Sequence, residues 1–355
     1  MSRDSLVLYC IAAVLITATF SYLFGFISAK LAKKFGAIDT PVGGRKIHKN
    51  AIPLWGGVGI AVSILLGMGL LALVDGFYAL RSAQLLGICA AVLILAIGGL
   101  IDDRRPLPPI VQLLFPMIAS VIVIVTGTGI VQITDPLNGG GFSLAWWKIG
   151  SLSLPADLIT LGWLLAATYA TKFLDGLDGL VSGMAVIGSA MVGALTLSPT
   201  FYQPAVALLA SVMGGGFAGF LPHNVHPARQ FLGEAGSTVA GFLLGVLAIV
   251  SSAKIAIALA VLAIPVMDAA IVIVGRMARG TAPWKGDDTH LHFRLLKAGI
   301  PHRRVVLLLW GVSFAAGLIA LTLQTRGKLF LVVALAVFTV LASWFAKRIG
   351  SRRVT

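Results

Sequence analysis

Acidic residues stand in closely spaced pairs at the ends of apolar segments, where they could hold a divalent cation. Asp102 and Asp103 are adjacent, whereas Asp175 and Asp178 lie three residues apart and could share one face of a helix. Neighbouring carboxylates repel one another unless a cation is close. Magnesium prefers a few carboxylates together with water and phosphate oxygens. The pairs therefore indicate a magnesium site, which manganese could also occupy; ion pairing with a basic neighbour such as Lys172 is the simpler alternative.

Basic residues, histidines and an asparagine in other polar segments are suited to binding a phosphorylated substrate. The candidate substrate-binding residues are Arg45, Lys46, His48, Lys172, Asn224, Arg229, Lys285 and Arg294. The His290-Leu-His292 motif could ligate zinc, but no cysteine or suitably spaced third histidine completes such a site. Hydrogen bonding to phosphate or substrate is therefore favoured for these histidines. Glu234 could bind the metal or simply cap the helix that it precedes.

The polar residues are separated by apolar segments that are long enough to cross a membrane. Of the 355 residues, 58% are hydrophobic and 11% are charged, whereas soluble domains carry about 25% charged residues. A membrane-spanning helix needs about 20 apolar residues. Eleven segments meet this requirement: 5–29, 54–75, 83–101, 110–131, 156–174, 177–196, 203–222, 236–252, 255–275, 304–323 and 328–346. We therefore predict an all-α, polytopic membrane protein that forms one integral domain over residues 1–355.

The charged residues predict which side of the membrane each loop occupies. Lysine and arginine gather in the cytoplasmic loops of membrane proteins, and this bias places the N-terminus outside and the C-terminus in the cytoplasm. The same bias accounts for the formal net charge of +14 without any binding of nucleic acid. All six histidines and nine of the thirteen acidic residues fall on the cytoplasmic side as well. The predicted catalytic loops are the cytoplasmic segments 30–53, 102–109, 172–180, 223–237 and 276–303.

Taken together and in this order, the five loops resemble those of the polyprenyl-phosphate N-acetylhexosamine-1-phosphate transferases, which form glycosyltransferase family 4. The resemblance extends from about residue 39 to about residue 296. It implies a multi-pass enzyme of the bacterial inner membrane that transfers a substituted phosphate group. Undecaprenyl phosphate would attack a UDP-HexNAc, of GlcNAc type, and UMP would be released. This reaction would be the first membrane step in the synthesis of a cell-envelope polysaccharide.

The resemblance also implies roles for individual residues. Asp102 would deprotonate or position the lipid phosphate, and the magnesium ligands would be Asp103, Asp175 and Glu234. The substrate-binding candidates match the family's first basic loop and the polar positions ahead of its metal-binding acid. The catalytic residues implied in this way are Asp102, Asp103, Asp175, Asp178, His290 and His292.

Five positions depart from the family pattern. Tyr169 and Lys172 replace two asparagines, and Gln112 replaces a lysine. Glu234 replaces an aspartate, and Phe293 replaces a histidine that many members have. These departures leave open a catalytically silent relative that binds lipid phosphate or a partner. A transporter is a further alternative, but transporters usually place charged sites and broken helices near the membrane midplane.

Two glycines bear on the oligomeric state. Gly215 and Gly219 form a small-xxx-small pair within the seventh apolar segment. Such a pair could support a homodimer, although packing within one chain explains it equally well. The sequence does not indicate which amino sugar is used or which pathway the product enters.

Overall fold

Twelve helices form most of the chain that the computed structural model describes. It describes residues 2–41, 50–73, 82–135, 140–150, 152–251, 255–282 and 289–352. The helices are α1 (Arg3–Phe35), α2 (Gly56–Leu71), α3 (Ser82–Arg104), α4 (Pro109–Val125), α5 (Ala156–Leu174), α6 (Leu180–Leu197), α7 (Pro204–Asn224), α8 (Gly233–Val250), α9 (Ile255–Ala278), α10 (Leu291–Lys297), α11 (His302–Thr322) and α12 (Thr325–Arg352). Each of the eleven predicted segments coincides with one long helix, and α10 is an additional short helix.

Eight helices in the described residues are long and apolar enough to cross a membrane, judged by length and composition. They are α1, α3, α6, α7, α8, α9, α11 and α12. The apolar helices α2 and α4 are shorter, with 16 and 17 residues. The prediction of an all-α, polytopic membrane protein is therefore confirmed. Eight described helices, instead of the predicted eleven, meet this criterion of length and composition.

Three short antiparallel strand pairs join some of the helices. They are β1 (Ile38–Asp39) with β2 (Ile52–Pro53), β3 (Gln132–Thr134) with β4 (Gly141–Ser143), and β5 (Ala145–Ile149) with β6 (Leu152–Pro155). The first pair holds Asp39 beside the segment that leads into α2. The sequence prediction did not include these strands, because two to five residues are too few for a period of two to be recognised.

Helix α8 lies at the centre of the helix bundle. In its apolar segment 78% of the residues are buried, compared with 22% in the apolar segment of α12. The peripheral helices expose large apolar side chains such as Leu8 and Phe330, which suits a surface that faces lipid tails. The first turn of α8, which carries Glu234, therefore belongs to a helix that other helices surround.

Glycines allow two neighbouring helices to approach the first turn of α8. A Cβ atom on Gly57 of α2 would overlap the backbone of Gly236, and a Cβ atom on Gly99 of α3 would overlap the backbone of Ala235. The start of α2 and the last turns of α3 are consequently held against the start of α8, close to three of the predicted catalytic loops.

The pair Gly215 and Gly219 is used within the chain. A Cβ atom on either glycine would meet the backbone of α1, at Val14 and Ala18 respectively. The pair thus lets α7 pack closely against α1 and lends no support to the predicted homodimer, which stays a prediction.

We predict that Gly99→Val lowers the midpoint of thermal unfolding of the detergent-solubilised protein by several degrees. Overpacking a close helix contact typically costs about 1–3 kcal/mol, and the new side chain would force α3 away from α8. The matched control is Gly162→Val, because a Cβ atom on Gly162 of α5 meets nothing within 4 Å. Equal midpoints for the two variants, measured by fluorescence-detected size exclusion after heating, would contradict the prediction.

Candidate functional site

The predicted catalytic loops meet in one cavity of about 930 Å³. Each of the five loops contributes at least one described residue to its wall. Six carboxylates line it, namely Asp39, Asp102, Asp103, Asp175, Asp178 and Glu234. Lys172 is the only lysine or arginine among the described residues of the wall. The tertiary structure therefore collects acidic groups from segments that are far apart in the chain.

Asp102 and Asp103 lie in the last turn of α3 and make different contacts. The Oδ1 atom of Asp102 accepts hydrogen bonds from the backbone N–H of Leu107, at 2.7 Å, and from Nε2 of Gln112, at 2.9 Å. The Oδ1 atom of Asp103 accepts one from the backbone N–H of Glu234, at 2.9 Å. Its Oδ2 atom is buried and has no hydrogen-bond partner among the described residues. A buried carboxylate oxygen in this state is suited to a cation.

The sharp turn before Glu234 depends on Gly233. Its φ angle is +72°, which side chains rarely allow, and a Cβ atom there would overlap the carboxylate of Asp103. Glu234 follows in the first turn of α8, where its Oε1 atom lies 2.6 Å from Nζ of Lys172. The same Nζ atom donates to Oε1 of Gln112 at 2.7 Å. The predicted metal ligand Glu234 is therefore already paired with an ammonium group.

Asp175 and Asp178 lie in the turn between α5 and α6. The prediction that they share a helical face is wrong, because α5 ends at Leu174 and α6 begins only after Gly179, which has a φ angle of +80°. Burial is the main reason why the pKa of Asp175 rises to about 8, with further contributions from the charges of Glu234 and Asp178. A cation in the cavity would favour the charged form again.

Asp178 is tied to the loop that precedes α8. Its Oδ2 atom lies 2.7 Å from Nδ1 of His226 and accepts a hydrogen bond from the backbone N–H of Ala228 at 3.1 Å. The ring of His226 stacks on that of His302, with 4.1 Å between the ring centroids. All three side chains line the cavity, and their ligand atoms lie within 4.8 Å of one another.

Asn224 joins two of the loops. Its Oδ1 atom accepts hydrogen bonds from the backbone N–H of Gly179, at 3.1 Å, and from Oγ of Ser182, at 2.7 Å. Its Nδ2 atom donates to the backbone oxygen of Gln230 at 3.2 Å. Asn224 lies in the wall of the cavity as expected, but these bonds occupy both ends of its amide.

Two histidines of the last loop, His290 and His292, do not line the cavity. Nδ1 of His290 pairs with Oδ2 of Asp268 at 2.8 Å, and Asp268 also accepts from the backbone N–H of Leu291. His292 is fully buried against Gly176, and burial lowers its pKa to about 3. It is therefore neutral near pH 7, and the predicted catalytic roles of both histidines stay predictions.

The remaining substrate-binding candidates lie away from the cavity or outside the described residues. Arg229 is exposed and does not line the cavity. Nη1 of Arg294 lies 3.4 Å from the backbone oxygen of Ser343 in α12. The candidates outside the described residues are Arg45, Lys46, His48 and Lys285.

The structure adds residues that the sequence prediction did not include among the site residues. His226 lies in a predicted loop two residues after Asn224, so its position offered a signal. Asp268 offered another, because a lone acid within an apolar segment usually has a function or a partner. Asn50, Phe231 and Ser237 also line the cavity. No spacing rule distinguishes these three from other loop residues.

Comparison with known proteins agrees with the resemblance. The family model described as Glycosyl transferase family 4 matches residues 85–252. The chain is 31% identical to the decaprenyl-phosphate N-acetylglucosaminephosphotransferase of Mycolicibacterium smegmatis, over 86% of this chain and 80% of that protein. It is 28% identical to the probable undecaprenyl-phosphate N-acetylglucosaminyl 1-phosphate transferase of Bacillus subtilis, over 87% of this chain and 84% of that protein. The undecaprenyl-phosphate alpha-N-acetylglucosaminyl 1-phosphate transferase of Escherichia coli (strain K12) is also 28% identical, over 85% and 79% of the two chains. The chain belongs to glycosyl transferase family 4.

Proposed function

We propose that this protein transfers a HexNAc-1-phosphate, of GlcNAc type, from a UDP-HexNAc to undecaprenyl phosphate and releases UMP. The observation that carries the proposal is the cavity in which acidic groups from four of the five predicted loops meet beside Lys172. The relatives named above are, by their names, transferases that act on a polyprenyl phosphate. The product would enter the synthesis of a cell-envelope polysaccharide as a lipid-linked sugar.

The reaction exchanges one phosphoanhydride partner for another. An oxygen of the lipid phosphate forms a bond to the β-phosphorus of the UDP-sugar, and the bond from that phosphorus to the bridging oxygen breaks. UMP leaves with that oxygen. Since the second pKa of a phosphomonoester is about 6, the attacking phosphate is largely ionised near neutral pH. A general base is therefore helpful but not essential, and positioning and charge stabilisation contribute most.

The residues of the cavity fit a magnesium ion in part. The Oδ2 atom of Asp103, which has no hydrogen-bond partner within the described part of the chain, and the half-buried carboxyl group of Asp175 are suitable ligands for it. Glu234, the third predicted ligand, has one oxygen engaged by Lys172. Bound magnesium would stabilise the charge that develops on the phosphate oxygens. Asp102 would orient the lipid phosphate, while its contact with Gln112 holds the start of α4 in place.

For the membrane topology we propose eleven spans, with the N-terminus outside and the cavity at the cytoplasmic face of the plasma membrane. The positive-inside bias of the loops and the agreement of every predicted segment with a helix support this arrangement. A cytoplasmic cavity would give a UDP-sugar direct access from the cell interior.

We predict opposite labelling of two exposed positions in intact cells. In a background with Cys10→Ser and Cys89→Ser, a membrane-impermeant maleimide should label Lys148→Cys without permeabilisation, because β5 would lie outside. Arg229→Cys should be labelled only after permeabilisation. The reverse pattern would place the cavity on the outer side and would contradict the proposed topology.

We predict that Asp103→Asn lowers magnesium-dependent UMP release by at least roughly a hundredfold, because metal-ion stabilisation contributes several kcal/mol to such transfers. The assay uses detergent-purified protein, undecaprenyl phosphate and a panel of UDP-HexNAc donors. The matched control is Asp4→Asn, which changes an exposed carboxylate in the first turn of α1 and should leave the rate unchanged. Equal rates for the two variants would remove Asp103 from the metal site.

The ion pair of Lys172 and Glu234 favours one alternative, a catalytically silent relative that binds the lipid phosphate. An ammonium group paired with a predicted metal ligand would weaken the metal site. If wild-type protein released no UMP from any donor of the panel but retained radiolabelled undecaprenyl phosphate, this alternative would replace the proposed transferase.

A further inference from the structure

The side chain of Lys172 is held in place by three other side chains. It projects from the last turn of α5, and its Nζ atom lies 2.6 Å from Oε1 of Glu234 and 2.7 Å from Oε1 of Gln112. The ring centroid of Tyr169 lies 5.3 Å from the same atom, within cation–π range. These contacts come from α4, α5 and α8, so the ammonium group has a defined position in the cavity.

The contacts of Lys172 continue to both acids of α3. Gln112 accepts from Lys172 through Oε1 and donates through Nε2 to Asp102. On the other side, Glu234 accepts from Lys172, while its backbone N–H donates to Asp103. The chain of contacts therefore starts and ends on α3. It needs one ammonium and one amide group between the two acidic positions.

Four of the five departures from the family pattern lie in this chain of contacts. Lys172 carries the ammonium group, and Tyr169, Gln112 and Glu234 lie beside it. The family pattern has a lysine where Gln112 stands and an asparagine where Lys172 stands. The ammonium group thus stands on α5 instead of α4 and an amide group stands on α4 instead of α5, while Tyr169 takes the place of the second asparagine.

We propose that Lys172 and Gln112 form an exchanged ammonium–amide pair, in which Lys172 supplies a fixed positive charge to the cavity and keeps Glu234 away from the divalent ion. Lys172 acts on the metal site through Glu234, so it is a positioning residue for the ion. The inference rests on the proposed function insofar as the cavity binds a divalent ion and a diphosphate. It predicts that the position of the lysine, on α4 or α5, matters less than the presence of one lysine.

The exchange is possible because the two side chains reach a common point. The polar atoms of Gln112 and Lys172 lie 2.7 Å apart although the residues belong to different helices. A lysine is one atom longer than a glutamine, so a lysine on α4 could bring its ammonium close to Glu234. A shorter amide on α5 would leave room for it.

The test measures Mn²⁺ affinity by electron paramagnetic resonance in four proteins, namely wild type, Lys172→Asn, Gln112→Lys and the double variant Gln112→Lys/Lys172→Asn. Lys172→Asn should bind Mn²⁺ at least roughly tenfold more tightly, because a positive charge within a few ångströms of the ligands is removed. Gln112→Lys should bind it more weakly, since two ammonium groups would share the cavity. The double variant should return to the wild-type affinity.

Two further variants separate this effect from a change in folding. Lys148→Asn removes a lysine from β5, outside the described cavity wall, and should leave the Mn²⁺ affinity unchanged. Adding Glu234→Gln to Lys172→Asn should abolish the gain in affinity, since the gain arises from a released Glu234 carboxylate. Each protein is first required to elute as a single species in size exclusion.

An unchanged Mn²⁺ affinity in Lys172→Asn, or a double variant that binds Mn²⁺ no better than Gln112→Lys alone, would overturn the inference. The proposed function fails by a different result, the absence of UMP release from the wild type with every donor. The affinity series can be read in either case, because it requires no turnover.

Discussion

The ion pair between Lys172 and Glu234 joins the last turn of α5 to the first turn of α8 at the cavity. The organisation of the site depends on this ion pair. Carboxylates gathered in a partly buried space repel one another and lose their hydration, so they need cations or hydrogen-bond donors. Lys172 is the cation that the described chain itself supplies to the cavity wall. A divalent ion would neutralise negative charge that remains on the acidic groups and could then bind the phosphate oxygens of the substrates.

The packing of small residues brings these acids together. Gly57 and Gly99 let α2 and α3 touch the first turns of α8, and Gly233 allows the chain to turn directly beside Asp103. A larger side chain at Gly99 or Gly233 would separate Asp103 from the backbone of Glu234, and one at Gly57 would push α2 away from α8. Close packing of helix backbones is the usual way for membrane helices to gain stability, since the hydrophobic effect contributes little within lipid. Here the same contacts also set the geometry of the cavity.

Several polar side chains around the cavity hold the loops to one another. Asp178 and Asn224 both use their side chains to fasten the turn after α5 to the loop before α8. His290 is fastened to α9 through Asp268. Residues that sequence patterns identify as polar candidates therefore include some that mainly hold the loops around the carboxylates. The family assignment is consistent with both kinds, because loops must be positioned before they can bind two anionic substrates.

The sequence by itself determined the membrane helices, the family and the loops that carry the site, because apolar length and ordered polar motifs are local properties of the chain. It did not reveal that Lys172, Gln112, Tyr169 and Glu234 touch, since they come from three helices and up to 122 positions separate them. Nor did it reveal that α5 stops before Asp175, or that His292 lies buried behind Gly176. Only the tertiary structure decided these points, because they depend on how closely helices pack and on which polar atoms find partners across the bundle.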